Sequence, residues 1–137
     1  MGLIIDSSVA IAAERRGDSV GQFIQSVLVF SNDQKAGLSS VGITELVHGI
    51  YRAQSETLRK RRQEFVEELV TALSVFPYTL DTARLAGRID GEQQARGNTS
   101  PFGDLLIGAT ALEIGYSILT VNLRHFQLIP GLNVIAL

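Results

Sequence analysis

The 137-residue chain has no cysteine. Disulfides, thiolate zinc sites and thiol nucleophiles are therefore excluded, and any metal must be held by oxygen or imidazole ligands. Stability has to come from packing. Long apolar runs are also missing: none approaches the roughly 18 residues that cross a bilayer, and residues 1–20 show no basic head followed by a pure apolar stretch of about seven or more. These absences predict a cytoplasmic protein with no membrane association. Nor is there an excess of positive charge, since 12 Lys and Arg stand against 14 Asp and Glu for a net charge of −2. A protein that grips nucleic acid by charge alone would carry a broad basic footprint. The densest basic run, RKRR at Arg59–Arg62, falls in a predicted amphipathic helix whose other side carries Glu64, Glu67 and Glu68, and it reads as a solvated face. Internal repeats and low-complexity tracts are absent.

What is present is ordinary for a globular protein: 45% of residues are apolar and 19% charged. The length fits one domain, 1–137, with a substantial core. Leu3–Ile5 is a short apolar run that predicts a buried strand, and DSSVAIAAERRG after it has a capping-type start and a terminal glycine, Gly17, which predict a helix. From Asp18, a plausible N-cap, Val20, Phe23, Ile24, Val27 and Leu28 recur at helical spacing until the polar SNDQK stretch. Ala36–Ser39 predicts a second strand. Ile43, Leu46, Val47 and Ile50 then mark one face of a third helix, and Leu58, Phe65, Val66, Leu69 and Leu73 mark a fourth. Ser74–Phe76 is a third strand stopped by Pro77, and Thr79–Gly97 is a helix with a glycine end. After the loop GNTSPFG, Asp104 opens the apolar LLIGATALEIG. Tyr116–Val121 and Asn133–Ala136 complete the strands, the second as a short edge strand entered through Pro130 and Gly131. Strands alternating with helices predict an α/β fold, its sheet mostly parallel and covered by helices on both faces.

Ligands of such sheets collect outside the carboxyl ends of the strands. Asp6 ends the first strand, Glu45 lies one turn into the helix after the second, Asp104 begins the helix leading to the fourth, and Asn122 follows that fourth strand. One topology brings all of them to the same sheet edge. Asp6 and Asp104 each have a plainer reading as helix N-caps. Glu45 lies opposite the apolar stripe of its helix, on a side shared with His48 and Arg52, where the plain reading is solvent exposure. Convergence favours chemistry: carboxylates about 5 Å apart repel by ~3 kcal/mol per pair at an effective dielectric near 20. A cation must offset that. Hard oxygen ligands select Mg²⁺ or Mn²⁺, which leave positions for phosphate oxygens, so a phosphodiester is the matching substrate. His48 and Arg52 are candidates for a general base and a phosphate contact, respectively. His125, in RHF, reads as a packing or turn residue.

The ordered set of Asp6 followed by SSV, TEL at 44–46, DLLIGATAL at 104–112 and TxNxRHF at 120–126 resembles the PIN-domain nucleases, and among them the VapC toxins. The likeness runs on to the closing IPGLNV. It implies a five-stranded parallel sheet, a metal-dependent endoribonuclease activity on RNA, a homodimer, and neutralisation by a VapB-type antitoxin. Asp6, Glu45 and Asp104 match the acidic metal-binding positions of that family. Asn122 departs from the simplest form of the pattern, standing where many members carry aspartate, although asparagine also occurs there in the family. An amide oxygen can still ligate or orient water, but with one charge less, which argues against a second metal ion. Ser8 matches a small hydroxyl or amide position that steadies the first aspartate, and Thr120 matches the threonine beside the fourth site. For both, a structural hydrogen bond is as good a reading as a catalytic one. The alternative to an enzyme is a non-catalytic module that uses the same fold to bind RNA or a protein. An aspartyl phosphoacceptor domain would need further acidic residues next to Asp6, and DSS supplies none.

Overall fold

The computed structural model describes residues 2–32 and 35–137, so Asp33 and Gln34, in the polar stretch expected to close the second helix, lie outside the described residues. In chain order the elements are β1 (Gly2–Ile5), α1 (Ser7–Arg16), α2 (Val20–Ser31), β2 (Lys35–Ser39), α3 (Ser40–Tyr51), α4 (Glu56–Ala72) and β3 (Ser74–Phe76). They continue as α5 (Leu80–Ala95), α6 (Phe102–Glu113), β4 (Ser117–Thr120), α7 (Leu123–Phe126) and β5 (Val134–Ala136). The five strands form one sheet in the order β3-β2-β1-β4-β5, and every neighbouring pair is parallel. This is the α/β architecture the alternating pattern predicts.

The order follows from the handedness of crossovers. From β1 the chain moves outward through β2 to β3, then crosses back over the sheet to β4 and β5. Right-handed connections running in opposite directions must lie on opposite faces. Accordingly α1 to α4 bury Ala13, Phe23, Leu46 and Leu69 against Leu3 and Ile5 on one face. On the other, α5 to α7 bury Ile89, Leu105 and Phe126 against Ile4 and Ile118. The period-2 alternation of a strand explains how β1 feeds both cores while all its residues are buried. The order reverses between β1 and β4, and a crevice opens at the carboxyl ends there.

Several local expectations shift. Ser19, not Asp18, caps α2: its side chain accepts from Gln22 N at 3.1 Å while its own N–H donates to Gln22 Oε1 at 2.9 Å. Asp18 is already used by α1, whose left-handed Gly17 lets Asp18 N reach Ala13 O at 3.0 Å and close the helix. The helix after the GNTSPFG loop starts at Phe102 rather than Asp104: Pro101 is its N-cap, and Asp104 falls within the first turn. Val47 stays 38% exposed, since α3 packs through Leu46 and Ile50. Half of the RKRR run is not a free surface. Arg61 and Arg62 lie 3.3 and 3.7 Å from the buried carboxylate of Glu14, and Arg62 also donates to Gly49 O at 2.8 Å. These bonds tie α4 to α1 and α3. No helix among the described residues is long and apolar enough to cross a membrane.

The short α7 is held by Phe126, whose side chain is fully buried on the α6 side of the sheet. Replacing Phe126 by Ala is expected to cost about 3–5 kcal/mol of stability. In a urea titration the midpoint should drop with little change in slope; an unchanged midpoint would contradict the packing described.

Candidate metal centre

The sheet positions Asp6 directly. Its backbone N–H donates to Leu119 O at 2.9 Å, which extends the β1–β4 ladder one residue past the strand. The side chain is thereby delivered, nearly fully buried, to the crevice where the strand order reverses. Although Asp6 occupies the N-cap position of α1, its side chain makes no capping bond. Glu45 comes from α3, a helix launched at the end of β2 by Ser39, whose Oγ accepts from Gly42 N at 2.9 Å. Asp104 comes from the first turn of α6, the helix of the long return crossover. One ligand atom from each of Asp6, Glu45 and Asp104 can be chosen so that all lie within 4.8 Å of one another. The three carboxylates predicted to converge do so.

Two hydroxyls fix Asp6. Ser8 Oγ donates to Asp6 Oδ2 at 2.6 Å and Thr120 Oγ1 donates to the same oxygen at 2.9 Å. Each hydroxyl has a single proton, so both are committed, and the 3.5 Å separation of the two hydroxyl oxygens is proximity rather than a further bond. The hydroxyls are oriented in turn from behind: Asn122 N donates to Thr120 Oγ1 at 2.9 Å, and Val121 N approaches Ser8 Oγ at 3.4 Å. Backbone amides of the β4–α7 turn thus polarise the hydroxyls that hold the carboxylate. Asn122 serves the site through its backbone; its side chain is exposed and makes no capping bond.

Glu45 and Asp104 carry the electrostatic cost. Partial burial pushes the Glu45 carboxyl above its ordinary value; the Ser7 hydroxyl bond opposes this, and the charges of Asp6 and Asp104 add to it. Asp104 is pushed up for the same first reason, then by Asp6, with His125 opposing.

Three residues of the site lay outside the expected set. Ser7 Oγ donates to Glu45 Oε1 at 2.6 Å. Gly103 matters for its missing side chain: a Cβ there would stand 2.9 Å from Glu45 Oε2 and would displace that carboxylate oxygen. His125 is not merely a packing or turn residue. Its backbone N does bond Asn122 O at 3.0 Å, but its ring Nδ1 lies 2.6 Å from Asp104 Oδ2. A polar residue next to Asp6 was the available signal for Ser7, and membership of the TxNxRHF motif was that for His125; Gly103 had none. His48 and Arg52 are exposed on α3 and at its C-cap, and among the described residues neither side chain bonds the carboxylates.

The donor set suits a hard divalent cation. Oδ1 of Asp6 is sealed from solvent and has no hydrogen-bond donor among the described residues. A buried charged oxygen without a partner is costly, and its neighbours in the cluster are further carboxylates, which cannot donate. A cation satisfies all of them at once. Oxygen-only ligands match Mg²⁺ or Mn²⁺ rather than softer ions.

The PIN domain family model matches residues 3–131. The chain is 34% identical over 135 residues to ribonuclease VapC1 of Rickettsia felis, covering 98% of this chain and 96% of that protein. Among solved structures, VapBC2 from Rickettsia felis bound to a DNA fragment from its promoter covers 100% of this chain and 99% of that one at 17% identity, with a TM-score of 0.86. VapBC-5 from Mycobacterium tuberculosis, a member of the VapBC family of toxin-antitoxin systems, covers 100% of both chains at 20% identity, with a TM-score of 0.75. These two likenesses show a shared fold. The chain therefore belongs to the PIN-domain family, among the relatives of the VapC ribonucleases.

The raised carboxyl of Glu45 sets a pH dependence. Between its ordinary and its raised value the folded state binds more protons than the unfolded state, so stability falls as pH rises through that interval. Glu45→Gln removes this loss while an amide oxygen still accepts from Ser7. In metal-free buffer its melting temperature should match the parent near about pH 4, the ordinary carboxyl range, pull ahead as pH rises through that interval, and keep a constant lead above it. A gap independent of pH, or one that closes as pH rises, would contradict the electrostatic account.

Proposed function

We propose that the chain acts as a single PIN domain over residues 1–137, as a metal-dependent endoribonuclease and the toxin of a type II toxin–antitoxin pair. The observation that carries this reading is the convergence of Asp6, Glu45 and Asp104 on one point with an unsatisfied buried oxygen of Asp6 among them. Its full-length similarity to ribonuclease VapC1 supports RNA as the substrate.

In this reading Asp6, Glu45 and Asp104 hold one Mg²⁺ or Mn²⁺. When bound, such an ion supplies positive charge that makes water more acidic and offsets negative charge developing on a phosphoryl group. The chain's own residues do the rest by positioning. Ser8 and Thr120 lock Oδ2 of Asp6, so that Oδ1 is presented in a fixed direction. Ser7 does the same for Glu45 by engaging Oε1. A site set in advance avoids reorganising its dipoles during reaction. Arg52 and His48, exposed on the helix that carries Glu45, are proposed to meet the RNA backbone, and the exposed amide of Asn122 to orient substrate or water at the edge of the cluster. A VapB-type antitoxin is the proposed partner, in keeping with the VapBC complexes of the same fold. A homodimer is proposed through amphipathic surface such as Tyr51, 70% exposed beside Val47 on α3.

The test is cleavage of RNA by purified protein in Mg²⁺, Mn²⁺ or EDTA. The parent should cut with either metal and stop in EDTA. Asp6→Asn and Asp104→Asn should each lose activity by roughly 100-fold or more, beyond the range usual for groups that merely support a metal ligand. Both should stay folded, with a melting temperature in EDTA equal to or above the parent's. Full metal-dependent cleavage by both variants would contradict the proposal. RNA binding without cleavage under all metal conditions would favour the non-catalytic module.

A further inference from the structure

His125 sits on α7, whose next residue, Phe126, is buried in the core on that side of the sheet. Its ring is therefore carried by a short but anchored element. As a whole the side chain is 44% exposed, yet Nδ1 is sealed from solvent. At 2.6 Å from that nitrogen lies Oδ2 of Asp104, itself only 14% exposed. The approach is close, but its angle falls short of a hydrogen bond, so Nδ1 is buried beside a carboxylate with no hydrogen bond formed. Water cannot serve a nitrogen closed off in this way, and a carboxylate oxygen can only accept. The proton that fits the contact is therefore on Nδ1.

We propose that His125 is a positioning residue for the acidic cluster, its Nδ1–H engaging one oxygen of Asp104 and leaving the other for the cation. The inference rests on the metal-site reading and adds to it a residue that touches neither metal nor substrate. It also gives the site a consistent plan. On it, each of the three carboxylates has one oxygen engaged by a neighbouring side chain: Asp6 hydrogen-bonded by Ser8 and Thr120, Glu45 hydrogen-bonded by Ser7, and Asp104 approached by His125. Each then has one oxygen free. A ligand held from behind loses less freedom on binding the ion and presents a defined lone pair; removing such a supporting partner typically weakens metal binding about 10–100-fold.

The test is calorimetric titration of the full chain with Mn²⁺ in the absence of RNA, for the parent, His125→Ala, His125→Gln and His125→Asn. The amide nitrogen of Asn hangs from Cγ as Nδ1 does and can reach Asp104, whereas that of Gln stands one bond further out. The Ala and Gln variants should bind Mn²⁺ about 10–100-fold more weakly than the parent, and Asn should recover most of the affinity. Melting temperatures in EDTA, compared alongside, should not follow this order, as they would if the contact only stabilised the fold. Equal Mn²⁺ affinity in parent and Ala variant would overturn the proposal while leaving the metal site standing. An Asn variant no better than Gln would overturn it too, and this contrast suffices should the Ala variant fail to fold. A parent that binds no Mn²⁺ would take the acidic centre down with it.

Discussion

Carboxylates brought to within 4.8 Å of one another repel, and a fold that holds Asp6, Glu45 and Asp104 in that arrangement must supply the force that keeps them together. Much of this molecule can be understood as that support. The side chains arrive from three segments on both faces of the sheet, so no local motif can hold them. What holds them is the buried parallel sheet and the two cores packed on it.

Position matters as much as strength. The crevice at the carboxyl ends of the strands is where the chain reverses its direction of travel across the sheet, and Asp6 enters it on the most buried strand. Its partners stand at the starts of helices or near them, where short polar side chains are common. Ser7, Ser8 and Thr120 belong to such junctions and all serve as donors to the carboxylates. A second network does structural work far from this edge. Glu14, held by Arg61 and Arg62, binds α1 to α4 with its charge compensated inside the protein. The contrast is informative: where a buried carboxylate is structural, the chain provides guanidinium partners, and where the carboxylates converge no guanidinium pairs with them among the described residues.

The sheet was legible because its strands are short apolar runs bounded by turn residues, and because alternation with helices admits few arrangements. Asp6 could be placed at the right edge by the strand-end rule, and Asp104 because the helix it was expected to open leads back to the start of the fourth strand. Glu45 could not be argued as firmly, since its helical face predicts exposure; its half-buried setting, with its carboxylate against Gly103 of α6, arises only where distant segments pack. Ser7 reaches Glu45 across 38 residues, a separation over which periodicity says nothing. His125 was hidden for a similar reason, compounded by the four-residue length of α7, too short to show a period. The capping shift from Asp18 to Ser19 has a different origin. Two adjacent residues both suit the role, and the choice is made by the closure of the preceding helix, which consumes the Asp18 amide. The sequence therefore carried the architecture and the charged centre, while the contacts that tune the centre arise only when distant segments meet.

The central claim is that the three carboxylates form one cation site. Anomalous scattering at the manganese edge from crystals of the parent protein soaked in Mn²⁺ tests it most directly. A single strong peak bounded by Asp6, Glu45 and Asp104, and missing from crystals of Asp104→Asn, is the result predicted. No peak there, at a Mn²⁺ concentration that supports RNA cleavage in solution, would contradict it.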